Sequence, residues 1–195
     1  MSKTFLEISR DKIIVFDGAT GTHLQGQGLT PDDFGGEQLD GCNEYLVISK
    51  PSAVENVHTD FLEAGCDVIE TNSFGGTRIV LAEYGLEGRA CELNLKAAQI
   101  AKHIAQDYSV NGHQRFVAGS MGPTTKLPSL GHISFNEMAS AYHEQAKGLV
   151  EGGADLLCIE TCQDVLQTKA ALYGVFEYFS QAKKKLPVIV SVTIE

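Results

Sequence analysis

No long apolar run occurs in this sequence of 195 residues, and no hydrophobic stretch approaches the roughly 20 residues that a membrane-spanning helix needs. The first ten residues also lack the apolar core of a secretory signal peptide. Basic residues are scarce: 15 lysines and arginines stand against 25 acidic residues, and the formal net charge is -10. Because nucleic-acid phosphates require a basic face, we expect no nucleic-acid partner. We also expect no membrane association and a cytoplasmic location.

Low-complexity tracts and linker-like segments are absent as well, so a single domain over residues 1–195 is expected. Hydrophobic residues make up 43% of the chain and charged residues 21%, which is ordinary for a globular protein with a sizeable core. In the cytoplasm the cysteines are expected to be free thiols. They are Cys42, Cys66, Cys91, Cys158 and Cys162.

One motif is present twice in the sequence. The segments 61–71 and 149–161 each run from the end of a helix through glycine and aspartate into a short apolar strand, and each closes on Glu-Thr. A carboxylate at the end of a buried strand is costly unless that end opens onto a site. We therefore expect Glu70 and Glu160 to be brought to one place by two turns of a repeating β/α plan.

Apolar runs alternate with amphipathic segments along the chain. The predicted strands are 12–16, 68–69, 116–118, 156–159 and 187–194. Helical periodicity predicts one helix that begins at Pro51, with Ser49 as a possible N-cap, and another over about 87–107. Ser134 and Glu137 form a capping-box pattern at the start of a third helix, and a fourth covers about 164–183. Residues 25–50 are expected to be irregular.

Strands that alternate with helices predict parallel βαβ units whose strands are buried on both faces. Two architectures fit this order, an open doubly wound sheet and a (β/α)8 barrel. The first βα loop, residues 17–22, is not Gly-x-Gly-x-x-Gly, which gives dinucleotide binding little support. Acids at several strand ends favour the barrel, whose site lies at the C-terminal ends of its strands, and a complete barrel needs about 250 residues. We predict an α/β fold of the (β/α)8 TIM-barrel type, incomplete, with about five βα units.

Six short segments together carry a family resemblance. They are residues 17–22, 49–51, 63–65, 69–74, 119–124 and 159–161. In this order they resemble the homocysteine S-methyltransferase family, and the run 122–134 is most similar to the N-terminal, homocysteine-binding module of cobalamin-dependent methionine synthases. The resemblance covers nearly the whole chain. It implies that residues 1–195 form the N-terminal part of such a barrel domain.

The resemblance implies methyl transfer to homocysteine, which forms methionine. In this family a zinc ion holds the substrate sulfur as a thiolate, and methylcobalamin on a separate module donates the methyl group. The implied partners are homocysteine, the cobalamin- and folate-binding modules, and the C-terminal part of the barrel. The three zinc-binding cysteines of the family lie in Asn-Cys and Gly-Gly-Cys-Cys segments, which this sequence does not contain. We therefore expect no metal ligand here and no stoichiometric zinc in this chain alone.

The resemblance also implies roles for individual residues. Asp17 would help to position homocysteine, with the backbone amides of Gly18 and Ala19 close to its carboxylate. Glu160 would bind the substrate ammonium. Glu70 and Asn72 occupy the matching position on the second strand and would shape the site. The alternatives are a turn-forming Asp17 and a Glu160 that is bonded only to neighbouring loop amides. No catalytic residue is predicted.

Two other functions remain open. The chain could be a non-catalytic barrel fragment, or an unrelated TIM-barrel enzyme such as a Schiff-base aldolase. An aldolase needs a lysine on a strand inside the barrel, whereas Lys12 starts the first predicted strand and Lys126 lies in a loop. Cys158 and Cys162 are close in sequence, but two thiols without further ligands make a poor zinc site.

Overall fold

Four parallel strands form the sheet in the computed structural model, which describes residues 3–110 and 112–194. The strands are β1 (Val68–Glu70), β2 (Phe116–Met121), β3 (Leu156–Cys162) and β4 (Val188–Val192). The helices are α1 (Phe5–Asp11), α2 (Thr20–Gly26), α3 (Leu46–Ser49), α4 (Pro51–Glu63), α5 (Arg78–Leu81), α6 (Ala90–Asp107), α7 (Phe135–Gly152) and α8 (Val165–Ala182). Short 3-10 turns cover Glu37–Leu39, Asn43–Tyr45, Ala82–Tyr84, Glu87–Arg89 and Pro128–Leu130.

The strands pair in sequential order, β1-β2-β3-β4, and every pairing is parallel. A doubly wound sheet would instead reverse its strand order next to the first strand. The predicted strands that start near residues 68, 116, 156 and 187 all appear in the structure, and their order is that of a barrel wall.

The first predicted strand, residues 12–16, is reduced to a single parallel bridge between Phe16 and Val68. The prediction of a full strand there was wrong. The Val15 N–H donates to a carboxylate oxygen of Asp67 (3.0 Å) and not to a neighbouring backbone carbonyl. Lys12 holds the other oxygen of the same carboxylate at 2.6 Å. Because a side chain occupies the ladder position, pairing with β1 is limited to the bridge at Phe16.

Helix starts follow the predicted signals with one exception. Ser134 and Glu137 form the predicted capping box at the start of α7. The α4 helix begins at Pro51 as predicted, but its N-cap is Lys50. Ser49 donates its hydroxyl to the Tyr45 carbonyl, so the prediction that it caps α4 was wrong. The predicted helix from 87 begins as a 3-10 turn and becomes α-helical at residue 90.

Alternation along the strands separates an inner from an outer core. The inner cluster contains Val68, Phe116, Ala118, Leu156 and Cys158, together with Phe5. The outer cluster packs Met121 of β2 and alternate residues of β3 against α7 and α8. The Phe5 ring of α1 lies edge-on to Phe116, the first residue of β2, with 5.7 Å between the centroids. Helix α1 therefore covers the end of the inner core where the strands begin.

Both edges of the sheet carry exposed apolar side chains. Beside β1, Ile13 is 89% exposed and Val15 53%. At the other edge Val190 and Val192 of β4 are exposed, and Ile194 beyond it is 91% exposed. Among the residues described, no helix is long and apolar enough to cross a bilayer.

Candidate functional site

A cavity of about 270 Å³ lies at the carboxyl ends of β1, β2 and β3. Its walls come from the loop before α2, the 3-10 turn at 43–45, the loop after β1, and the ends of β2 and β3. The lining residues are Gly18, Ala19, Thr20, Gly21, Asn43, Glu44, Glu70, Thr71, Asn72, Ser73, Phe74, Ser120 and Glu160. This is the end of the sheet opposite to the one that α1 covers.

The strands explain why acidic side chains meet there. Glu70 lies two residues after Val68, and Glu160 two residues after Cys158, and both Val68 and Cys158 belong to the inner core. Since side chains alternate along a strand, both acids also point to the inner face. Ser120 has the same relation to Ala118 on the strand between them. Glu70 and Glu160, predicted from the repeated motif, therefore converge on one cavity.

Asp17 lies behind the cavity and does not line it. One of its carboxylate oxygens accepts the backbone N–H of Glu70 at 2.8 Å. The other is buried and has no hydrogen-bond partner within residues 3–110 and 112–194. Burial raises the pKa of Asp17 to about 7, the nearby Glu160 adds to the rise, and the Glu70 N–H opposes it. The carboxylate holds the end of β1 in place and adds to the negative potential beneath the cavity.

Glu70, Glu160 and Cys158 form a tight group, with one ligand atom from each within 4.8 Å of the others. Burial raises the pKa of Glu70 to about 7, helped by the charges of Glu160 and Asp17. Burial also raises the pKa of the Cys158 thiol, and the charges of Glu70 and Glu160 add to this rise. Cys158 is therefore a neutral thiol near neutral pH, and Glu70 is readily protonated when no cation is present.

A bulge in β3 separates the two cysteines that lie close in sequence. Ile159 pairs with Val190 and Cys162 with Val192, so that Glu160 and Thr161 together oppose one residue of β4. Thr161 adopts a φ of 57°, which is uncommon for a β-branched residue. The extra residue turns Cys162 into the outer core, whereas Cys158 stays in the inner core.

The loop after β1 joins the site to the segment 43–45. Asn72 is buried and donates its side-chain amide to the Asn43 carbonyl at 2.7 Å. A Glu44 carboxylate oxygen accepts the Gly75 N–H at 2.7 Å, and burial raises the pKa of Glu44. Sequence reasoning missed Asn43 and Glu44, because they lie in a segment without periodicity. Ser120 lies within the family motif 119–124, but no role for it follows from the sequence.

The cavity is strongly acidic. Glu44, Glu70 and Glu160 line it, and none of its lining residues is a lysine, arginine or histidine. Such a cavity suits a small ligand that carries a cationic group. An anionic group on the same ligand could bind only to backbone N–H groups. The small side chains from Gly18 to Gly21 allow a ligand to approach the backbone of this loop.

The family model for homocysteine S-methyltransferases matches residues 14–195. The chain belongs to the homocysteine S-methyltransferase family. The methionine synthase of Mycobacterium leprae (strain TN) is 44% identical over 190 residues, which are 97% of this chain and 16% of that protein. The methionine synthase of Mycobacterium tuberculosis (strain ATCC 25618 / H37Rv) is 43% identical over the same shares. The chain thus spans about a sixth of the curated relatives it matches.

Solved structures of this family share the fold. The metallated form of the homocysteine methyltransferase MmuM from Escherichia coli superposes with a TM-score of 0.77 at 23% identity, and covers 97% of this chain and 66% of its own. The oxidized form of the same protein has a TM-score of 0.74 at 22% identity. The predicted α/β fold of TIM-barrel type, present in part, is confirmed.

The residues present do not fit the three-thiolate zinc site that the family resemblance implies. In the described part of the chain, Glu70, Cys158 and Glu160 are the group whose atoms could reach a single ion. That group offers one thiol and two carboxylates, whereas the family site requires three thiolates. All five cysteines are free, and Cys162 faces the outer core, away from this group.

Proposed function

We propose that this homocysteine S-methyltransferase chain is the N-terminal part of a homocysteine-binding barrel domain in a methionine-forming enzyme. One observation carries the proposal: the predicted residues Glu70 and Glu160 meet beside a loop of small residues in an acidic cavity. Homocysteine is an amino acid with an ammonium and a carboxylate on the same carbon atom, and the cavity offers a complement to each.

The substrate ammonium lies against Glu160 in this proposal. Charge-assisted hydrogen bonds to a partly buried carboxylate are about twice as strong as neutral ones. Glu70 and Asn72 shape the wall beside it, and protonated Glu70 reduces the repulsion in the empty cavity. Asp17 does not contact the substrate in this proposal. It accepts the Glu70 backbone N–H and so holds Glu70 in place, and it adds negative potential to the site.

The substrate carboxylate lies against the backbone amides of Gly18 and Ala19. Both residues are exposed at the cavity. A β-carbon at Gly18 would lie 3.1 Å from the Phe61 ring, so a larger residue would disturb the loop. Ala19 is the N-cap of α2 and provides no side-chain cap, which leaves the first amides of that turn open to a ligand.

The remaining chemistry requires groups that residues 1–195 do not provide. We propose that the zinc ligands lie in the C-terminal part of the barrel, and that methylcobalamin and folate are carried by separate modules. The full reaction then takes place in the cytoplasm. The chain described here contributes substrate binding and orientation, and no step through the metal is assigned to its residues.

Homocysteine binding to the purified chain, measured by titration calorimetry, tests the proposal. Glu160→Gln should weaken binding by about tenfold or more, since it removes a charged partner of the ammonium. Glu151→Gln, a change on the exposed side of α7, is the matched control and should leave the affinity unchanged. Equal affinities for the wild type and the Glu160 variant would refute the proposed site.

A further inference from the structure

The peptide of Ser120 on β2 is held by side chains, because β1 ends before it. The last bond of the regular ladder runs from the Thr71 N–H to the Ala118 carbonyl, at 2.9 Å, and the next backbone bond between the two segments, from the Gly122 N–H to the Phe74 carbonyl at 3.0 Å, lies beyond Ser120. Two residues further along β2, the Ser120 N–H donates instead to the Thr71 hydroxyl oxygen at 3.0 Å. A threonine side chain thus replaces the missing neighbouring strand.

The hydroxyl protons around this peptide have a determined direction. The Ser73 hydroxyl donates to the Ser120 carbonyl at 2.8 Å. Each hydroxyl has a single proton, so in the 2.6 Å contact between Thr71 and Ser73 the donor must be Thr71. The bonds run from the Ser120 N–H through Thr71 and Ser73 back to the Ser120 carbonyl. We call this closed path the hydroxyl ring.

The hydroxyl ring is shielded from water. Thr71 is 2% exposed, Ser73 1% and Ser120 3%. The side-chain amide of Gln145, which is fully buried on α7, donates to the Ser73 carbonyl at 2.8 Å. The hydroxyl groups of the ring are all satisfied, which restricts the ring to one arrangement, although the side-chain oxygen of Gln145 is buried without a partner among the described residues. The backbone of Ser120 is therefore fixed from both sides.

The Ser120 side chain uses its own proton on Glu160. Its hydroxyl donates to one carboxylate oxygen of Glu160 at 2.6 Å. This donor is neutral, so it orients the carboxylate without cancelling the negative charge that a cation would need. The donor matters because Glu70 and Asp17 repel Glu160 whenever they are ionised, and a long side chain at a cavity mouth would otherwise turn towards water.

We propose that Ser120 is a positioning residue for amino-acid recognition: the hydroxyl ring fixes Ser120, and Ser120 fixes the Glu160 carboxylate in the orientation that accepts the substrate ammonium. The inference rests on the proposed function, in which Glu160 binds that ammonium. It predicts that Ser120 affects the ammonium end of the ligand and nothing else.

Two probes separate this role from a merely structural one: homocysteine, and the same thiol acid without its amino group. We expect the wild-type chain to bind homocysteine more tightly than the analogue, and Glu160→Gln to remove that preference. Ser120→Ala should weaken homocysteine binding about three- to tenfold and leave analogue binding unchanged. Ser120→Thr, which keeps the hydroxyl, should restore the preference. Ser140→Ala, an exposed serine on α7, is the control.

The outcomes distinguish the two proposals. If Ser120→Ala weakens both probes equally, or keeps the full preference for homocysteine, the positioning role is wrong while the Glu160 assignment stands. If the double variant Ser120→Ala/Glu160→Gln is clearly weaker for homocysteine than Glu160→Gln alone, Ser120 does not act through Glu160. A wild-type chain that binds neither probe, or shows no amino-group preference, overturns the proposed function and this inference with it.

Discussion

Asp17 and Glu70 show how single residues conflict with their surroundings at this site. Both carboxyl groups have a pKa of about 7, far above the usual range, because the fold buries them next to each other and to Glu160. Burial of several acids together destabilises the protein wherever they are ionised. Such a cost is typical of sites where a ligand supplies the missing positive charge.

Replacement of Glu70 should therefore stabilise the chain at high pH. Below about pH 4.5 Glu70 is protonated in both the folded and the unfolded state, so its burial does not lower the free energy of unfolding. As the pH rises to about 7 the unfolded chain loses this proton first, so stability falls and the loss is complete above pH 7. Glu70→Gln should raise the free energy of unfolding by about 2–3 kcal/mol at pH 8 and by little at pH 4.

Urea unfolding at the two pH values measures this difference, with the exposed Glu151→Gln as the control. A Glu70→Gln variant that is no more stable than the wild type at pH 8 would show that the carboxylate is well solvated or paired.

Without the family resemblance, which also indicated the lining residues Gly18, Ala19 and Asn72, site residues were predictable only where a strand determined them. Glu70 and Glu160 end apolar runs, so their common location followed from β/α geometry. Glu44 follows no run, and only the folded chain brings it to the cavity through its bond to the Gly75 N–H. The role proposed for Ser120 depends on the hydroxyl ring that it forms with Thr71 and Ser73. No residue spacing in the sequence specifies this ring.

Among the elements, the strands were easier to predict than the connections. Continuous apolar runs gave β1 to β4, since strands buried on both faces need such runs. The run at 12–16 is equally apolar, yet the Val15 N–H donates to the Asp67 carboxylate. The segment therefore pairs with β1 through a single bridge. Helix α1 was missed although Thr4 and Glu7 form a capping box, because its seven residues are too short for a clear period.

The ends of α7 and α8 give a matched pair of stability predictions. Both C-cap residues adopt a left-handed backbone conformation. Gly153 after α7 has a φ of 106°, and Lys183 after α8 has a φ of 52°. Glycine adopts this conformation without strain, whereas in other residues it raises the conformational energy by about 1 kcal/mol or more. Lys183→Gly should therefore stabilise the chain by about 0.5–1 kcal/mol, and Gly153→Ala should destabilise it by about 1 kcal/mol or more.

The Gly153→Ala cost should be the larger of the two, because a β-carbon at Gly153 would also lie 3.3 Å from the Lys102 side chain. Chemical denaturation of both variants at one pH is the measurement. The opposite sign for either variant would mean that the cap geometry does not govern these helix ends.

For the whole molecule, the exposed edges dominate the expected behaviour. The side chains of Val190, Val192 and Ile194 at one edge and of Ile13 and Val15 at the other face solvent. Exposed apolar strand edges favour pairing with another chain. A complete barrel has no edges, and in the proposed function the C-terminal part of a homocysteine-binding barrel would satisfy both edges at once.

We predict that the isolated chain self-associates and forms no methionine from methylcobalamin and homocysteine. Val192→Lys should reduce the association seen by sedimentation, because a charged edge disfavours strand pairing. Lys185→Glu, a change of charge in the loop before β4, is the control. A monodisperse wild-type monomer that makes methionine unaided would contradict this prediction.

The central claim is that the acidic cavity holds the amino-acid end of homocysteine, and a crystal structure of the chain with homocysteine tests it most directly. The account predicts the ammonium about 2.7–3.0 Å from a carboxylate oxygen of Glu160 and the ligand carboxylate at the amides of Gly18 and Ala19. Homocysteine bound outside this cavity, or bound with its carboxylate facing Glu160, would contradict the account.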